Sequence, residues 1–115
     1  MSRFTKSFSF ALNGILYAFK TQPNFKVHSA LIVMVTLAGW YFQLNSSEWL
    51  WLLAAIALVL ISELFNTAIE VLVDLVSPAY NEKAGIVKDT AAAAVLVAAI
   101  IAIAIGLIIF LPKIL

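Results

Sequence analysis

Along residues 2–20, apolar positions fall on one helical face: Phe4, Phe8, Ala11, Leu12, Ile15 and Phe19, at i, i+4, i+7 and i+8 spacing. Arg3, Lys6, Ser9, Asn13 and Lys20 lie away from it, with Phe10 and Tyr17 interrupting the polar side. That pattern predicts an amphipathic helix lying in a headgroup plane. Thr21-Gln22-Pro23-Asn24 breaks it, because proline disfavours helical geometry in the residue before it. The periodicity then gives way to three long apolar runs. These predict membrane-spanning helices over 27–44, 49–75 and 90–111, separated by Asn45-Ser46-Ser47-Glu48 and by the polar stretch from Ser77 to Gly85. Trp40, Tyr41 and Phe42 on one side of the first turn, and Trp49 and Trp51 on the other, form an aromatic belt. Lys88-Asp89-Thr90 is expected to open the last helix and Pro112-Lys113 to end it. Ala91 to Ala94 offer a small-residue surface for close helix approach. The expected fold is therefore an all-α membrane protein, one domain over 1–115, with a surface helix and three transmembrane helices.

Composition agrees with this pattern. The 115 residues are 64% hydrophobic and 11% charged, whereas soluble domains are roughly half apolar and about a quarter charged. A chain this short encloses little by itself, so a site walled off from lipid calls for an oligomer. The absence of cysteine excludes disulfides and thiolate chemistry. The seven Lys and Arg are scattered rather than gathered on a face, which speaks against nucleic acid. Their order along the chain is more informative. Arg3, Lys6, Lys20 and Lys26 precede the first span, Lys83 and Lys88 lie between the second and third, and Lys113 follows the third. By the positive-inside rule, the N-terminus and the 77–88 loop are expected in the cytoplasm.

The candidate chemistry lies at that cytoplasmic face. Glu63, Asn66, Thr67, Glu70 and Asp74 fall in one wedge of the second span at about 100° per residue. A charged side chain at the centre of a span costs about 2.5–3.5 kcal/mol on insertion scales, and such groups usually mark function. A purely structural reading pairs Glu63 and Asp74 with Lys88 or Lys83 to lock helices. It leaves Asn66, Lys88 and Asp89 beside the carboxylates without a use. Glu70 with a second oxygen ligand suits magnesium, which binds one or two carboxylates plus substrate phosphates. Lys88 is placed to meet phosphate oxygens, and the deeper Glu63 to meet something dissolved in the bilayer. Together these residues suggest phosphoryl transfer onto a membrane-borne hydroxyl. No Gly-x-x-x-x-Gly-Lys-Ser/Thr loop is present. The lone His28 is expected to be an interfacial, hydrogen-bonded side chain rather than a metal ligand. The competing function is a small proton-coupled multidrug-type transporter. It calls for a mid-bilayer glutamate and four spans, where the sequence offers interfacial acids and three.

The run Glu63-Leu64-Phe65-Asn66-Thr67-Ala68-Ile69-Glu70, followed by Asp74, Lys88-Asp89 and Ala94-Val95, closely resembles the prokaryotic diacylglycerol kinase family, which includes the undecaprenol kinases of Gram-positive bacteria. The resemblance covers nearly the whole chain. It implies a homotrimer with active sites shared between subunits, ATP with magnesium as phosphoryl donor, and a bacterial inner-membrane location. By resemblance, Glu63 is the base on the lipid hydroxyl, Glu70 a metal ligand and Asn66 an orienting residue, while Lys88 and Asp89 engage the nucleotide phosphates. Arg3 and Lys6 lie near lipid and nucleotide, and Phe10 replaces a tyrosine near the nucleotide base. Gln22 stands where relatives often carry a metal-binding glutamate; its carbonyl oxygen can still ligate, with one charge lost. The Val73-Asp74-Leu75-Val76-Ser77-Pro78 run is more like the Gram-positive members, and leans from diacylglycerol towards undecaprenol as acceptor.

Overall fold

The computed structural model describes residues 2–115 and is helical almost throughout: α1 spans Arg3–Thr21, α2 Pro23–Tyr41, α3 Ser46–Val76 and α4 Glu82–Ile114. The surface helix thus matches its expected bounds to one residue. Ser2 caps it by accepting from the Thr5 backbone N–H at 3.2 Å, a type of cap worth about 1 kcal/mol. Its predicted apolar face stays uncovered, with Phe4 82% and Phe8 62% exposed. Only Ala18 of this helix is buried.

The predicted four-residue break after α1 shrinks to one residue. Gln22 is both the C-cap of α1 and the N-cap of α2, and Pro23 opens α2. Proline is well suited there, since its missing N–H would lack a helical partner anyway. The corner is held by the Gln22 N–H donating to the Ala18 carbonyl at 2.9 Å. It is packed by Phe19 edge-on to Phe25, with ring centroids 6.4 Å apart.

The last helix departs furthest from expectation. It opens at Glu82, not at Lys88, so much of the polar connection is its first two turns. Asn81 explains this: its side-chain oxygen accepts from the backbone N–H groups of Lys83 and Ala84, and Glu82 follows in the first turn where the helix dipole favours an acid. Nor do Pro112 and Lys113 end it; α4 continues to Ile114, with the Leu115 N–H still reaching the Leu111 carbonyl at 3.0 Å. Of the four alanines, Ala91 is buried against the fold while Ala92, Ala93 and Ala94 are exposed.

Two helices, α3 and α4, are long and apolar enough to cross a membrane. The expected span in α2 falls short of the same standard, because Asn24, Lys26 and His28 stand in its first two turns. α3 and α4 also make the most extensive pair in the molecule. Leu52, Ala55, Val59, Glu63, Asn66 and Thr67 form the buried stripe of α3, at spacings of three and four. Ala91, Val95, Ala98 and Ile109 are buried on α4. At one end Leu44, Leu52 and Ile109 form a compact cluster. There α2 comes so close that a Cβ on Gly39 would lie 2.9 Å from Trp49 Cη2. The tight connection to α3 uses Gln43 at φ 54 and a capping box in which Asn45 and Glu48 bond each other's backbone N–H. Lys113 crosses to Glu48 at 3.1 Å. The chain as a whole is flat, 51 × 42 × 20 Å.

Candidate functional site

At the opposite end of α3, the seam predicted from the sequence runs from sealed to open. Glu63 is 1% exposed, Asn66 9% and Thr67 5%; Glu70 is half-buried and Asp74 exposed. A carboxylate this deep needs a partner. It has one in α2: His28 Nδ1 lies 2.6 Å from Glu63 Oε1. Sequence reasoning placed His28 at the interface as a hydrogen-bonded group but missed this contact. The sequence puts His28 at the start of the first span and Glu63 a little over one turn inside the same face, which left their contact to the register of the two helices.

Seven residues along, the α1–α2 corner delivers Gln22 to Glu70. The amide Nε2 donates to Glu70 Oε2 at 3.0 Å. The single-residue joint at Gln22 is what aims this side chain across at α3. The predicted pairing of the two positions is thereby brought together. The bond uses the amide nitrogen and one carboxylate oxygen, so the Gln22 carbonyl and Glu70 Oε1 remain as hard oxygen donors on a half-open surface. That set fits magnesium, which takes few protein ligands and completes its shell with phosphate and water. Among the described residues no group of three His, Cys, Asp or Glu converges, so the chain holds no all-protein cage.

Lys88 reaches Asp74 rather than Glu70, with Nζ donating to Oδ1 at 2.6 Å. Of the two lysines that the structural reading of the sequence offered Asp74, the structure pairs it with Lys88. Lys88 stands in the polar opening turns of α4, ahead of the apolar run. The hydrogen bond to Asp74 pushes its pKa above the ordinary lysine value, against a smaller opposing effect of desolvation. The ammonium is therefore charged across neutral pH. Both side chains are well exposed, at 41% and 66%, so the pair contributes little stability. Asp89 is exposed beside it.

Asn66 has a side-chain oxygen that is buried and without a hydrogen-bond partner, the one such side-chain atom among the described residues. Buried polar atoms are nearly always paired, so this oxygen stands out as an open acceptor on the seam between Glu63 and Glu70. Arg3, Lys6 and Phe10 are not brought to this seam. They stay exposed on α1, Phe10 at 70%, and α1 meets α3 across a groove lined by Ala11, Gly14, Leu64, Ala68 and Val71.

A second cavity, of about 380 Å³, lies between α2, α3 and α4 and has His28 in its lining. The site thus has a wet rim at Gln22, Glu70, Asp74 and Lys88, and a dry interior below His28.

The chain matches the family model described as prokaryotic diacylglycerol kinase over residues 9–110. It is 42% identical over 113 residues to a Bacillus subtilis protein named undecaprenol kinase, covering 98% of this chain and 92% of that one. It is 44% identical over 110 residues to a Synechocystis diacylglycerol kinase, covering 95% of this chain and 63% of that longer protein. To the diacylglycerol kinase of Escherichia coli K12 it is 28% identical over 102 residues, covering 89% of this chain and 84% of that one.

Proposed function

The chain belongs to the prokaryotic diacylglycerol kinase family, and on that premise we propose how its residues carry out lipid phosphorylation. It is a membrane-embedded lipid kinase, a phosphotransferase with an alcohol as acceptor and ATP as co-substrate. Nothing found favours the transporter reading. The observation that carries the assignment is the seam of α3, where a sealed carboxylate paired to an imidazole sits one side of an orphan amide oxygen and a half-open carboxylate–amide pair sits on the other.

Glu63 supplies the negative charge that draws the proton from the lipid hydroxyl. A general base of this kind contributes about 10²–10⁴-fold. Glu70 and Gln22 would hold magnesium, which when bound neutralises charge on the β- and γ-phosphates. Lys88 leaves Asp74 for the phosphate oxygens, Asp89 assists at the same rim, and Asn66 orients a reacting group through its unpaired oxygen. Arg3 and Lys6 stand at family positions near lipid and nucleotide, and Phe10 at one near the nucleotide base. Phosphoryl transfer of this kind is mostly positioning and charge neutralisation.

A flat chain 20 Å thick cannot enclose a reaction on its own, which supports a homotrimer with shared sites. We read the chain as one lipid kinase domain over 1–115, a surface helix with three spans, and the distribution of Lys and Arg supports a cytoplasmic N-terminus and site in the bacterial inner membrane. The acceptor is diacylglycerol or undecaprenol, with the 73–78 run leaning to the latter. The test presents ATP with each lipid in parallel in mixed micelles and follows labelled phosphate. Transfer to one or both supports the reading, and transfer to neither overturns it.

A further inference from the structure

Two carboxylates of the α3 seam each meet one nitrogen from the α2 side. Gln22 Nε2 donates to Glu70 Oε2 at 3.0 Å, and His28 Nδ1 lies 2.6 Å from Glu63 Oε1. The nitrogens are six residues apart and the carboxylates seven, in opposite chain directions. At about 1.5 Å per residue both spacings come to roughly 9–10 Å. One edge of α2 thus runs antiparallel along the seam and serves it twice. The Gln22 pair belongs to the rim that suits magnesium. The His28 pair has no assigned use, although an ionisable side chain inside a membrane helix is costly and points to function.

At 2.6 Å a proton lies between the two atoms and belongs to one of them. Glu63, as the base on the lipid hydroxyl, has to start ionised and therefore accepts. The imidazole, neutral or charged, then donates from Nδ1. The Glu63 side chain is 2% exposed and that of His28 20%, so the carboxylate is fixed from the α2 side by a ring that is itself half-buried. Among the described residues Oε2 of Glu63 takes no hydrogen bond. The two carboxylates are treated alike: one oxygen is occupied from α2 and the other stays open.

We propose that His28 is a positioning residue for the base: its Nδ1–H holds Glu63 Oε1 and leaves Oε2 as the oxygen that meets the lipid hydroxyl. The proposal rests on the kinase reading. The hydroxyl proton passes to Oε2 as the lipid oxygen bonds the γ-phosphorus. The bond from that phosphorus to the β–γ bridging oxygen breaks, and ADP leaves with the electron pair. The proton then leaves Oε2 for water. The imidazole gains and loses nothing in this cycle. What it supplies is aim, and a misplacement of about 1 Å at a reacting group costs on the order of 100-fold.

An N–H donor at this point can be kept without the ring. Asn places its amide nitrogen near the Nδ1 position and is not basic, whereas Leu fills a similar space and donates nothing. His28→Leu is expected to lower kcat for lipid phosphorylation about 100-fold with KM for ATP unchanged, and His28→Asn to hold it within about fivefold of the wild type. A His28→Leu protein within about threefold of the wild-type kcat would overturn the role of His28, and so would a His28→Asn protein as slow as His28→Leu. The chain has a single histidine, so ¹⁵N-histidine labelling of the wild-type protein in lipid nanodiscs reports on this ring alone. Nδ1 is expected to carry a proton; a neutral ring protonated only at Nε2 would overturn the proposal, even where a variant does not fold. Wild-type protein that phosphorylates neither lipid would instead remove the kinase reading, whatever the state of the ring.

Discussion

The two ends of the α3–α4 pair are built on opposite plans. At the end near the α2–α3 turn, Leu44, Leu52 and Ile109 pack together, Gly39 lets Trp49 in, and the polar groups close on one another in a capping box and the Glu48–Lys113 pair. At the end near Gln22, a carboxylate is buried against an imidazole, an amide oxygen is buried with no partner, and a carboxylate is half-satisfied by an amide. The first arrangement stabilises the chain and needs nothing from outside. The second costs stability as it stands, because buried polar groups are expensive unless fully paired. Places where a sequence works against its own stability are expected to be functional. The lesson is that the polar residues of one helix serve different ends according to which terminus they occupy.

Substitutions at the two ends should therefore move different quantities. The largest effect is expected at the wet rim: Glu70→Gln should cut kcat/KM at least about 100-fold at low magnesium, with partial recovery as magnesium is raised and no loss of thermal stability. Unchanged magnesium dependence would argue against metal ligation there. Next is the packed end. Gly39→Ala drives a methyl against Trp49 and Leu44, at 2.9 and 3.0 Å, and overpacking of this kind costs about 1–3 kcal/mol. Thermal unfolding in detergent should fall while activity per folded protein holds.

Asn66→Ala sharpens the contrast further. Removal of an unpaired buried oxygen should leave the melting temperature unchanged or raised, since an unsatisfied buried group costs about 1–3 kcal/mol. Lipid phosphorylation should nevertheless drop by about tenfold, the loss of roughly one ligand hydrogen bond. A lower melting temperature with full activity would make Asn66 a packing residue. The smallest change is expected for Lys113→Met. Its partner Glu48 keeps the bond from the Asn45 backbone N–H, and the half-buried pair, 26% and 24% exposed, should contribute about 1 kcal/mol or less to the unfolding midpoint in detergent.

Much of this was legible in the sequence, for reasons that differ by region. The surface helix and the seam were readable because a 3.6-residue period puts Glu63, Asn66, Thr67, Glu70 and Asp74 on one face whatever the tertiary packing. The association of Gln22 with Glu70 came from the family resemblance, and charge with topology left Asp74 to pair with Lys88 or Lys83, of which the structure has Lys88. The start of α4 was missed because Ser77 to Gly85 is polar, and polarity alone does not separate a loop from a capped first turn; Asn81 followed by Glu82 was the signal. The joint at Gln22 was drawn too wide because proline was read as a breaker, when at the first helical position it is an opener. The His28–Glu63 contact lay out of reach of periodicity, since it depends on the register of two helices 35 residues apart in the chain.

The most direct test of the contrast between the two ends is made at Glu63. Labelled-phosphate transfer from ATP to lipid is measured for Glu63→Gln beside its thermal unfolding in the same detergent. A loss of at least about 100-fold in transfer with an unfolding midpoint at or above that of the wild type is the expected result. Transfer at the wild-type rate would contradict it, and would return the buried carboxylate to the role of a structural pin.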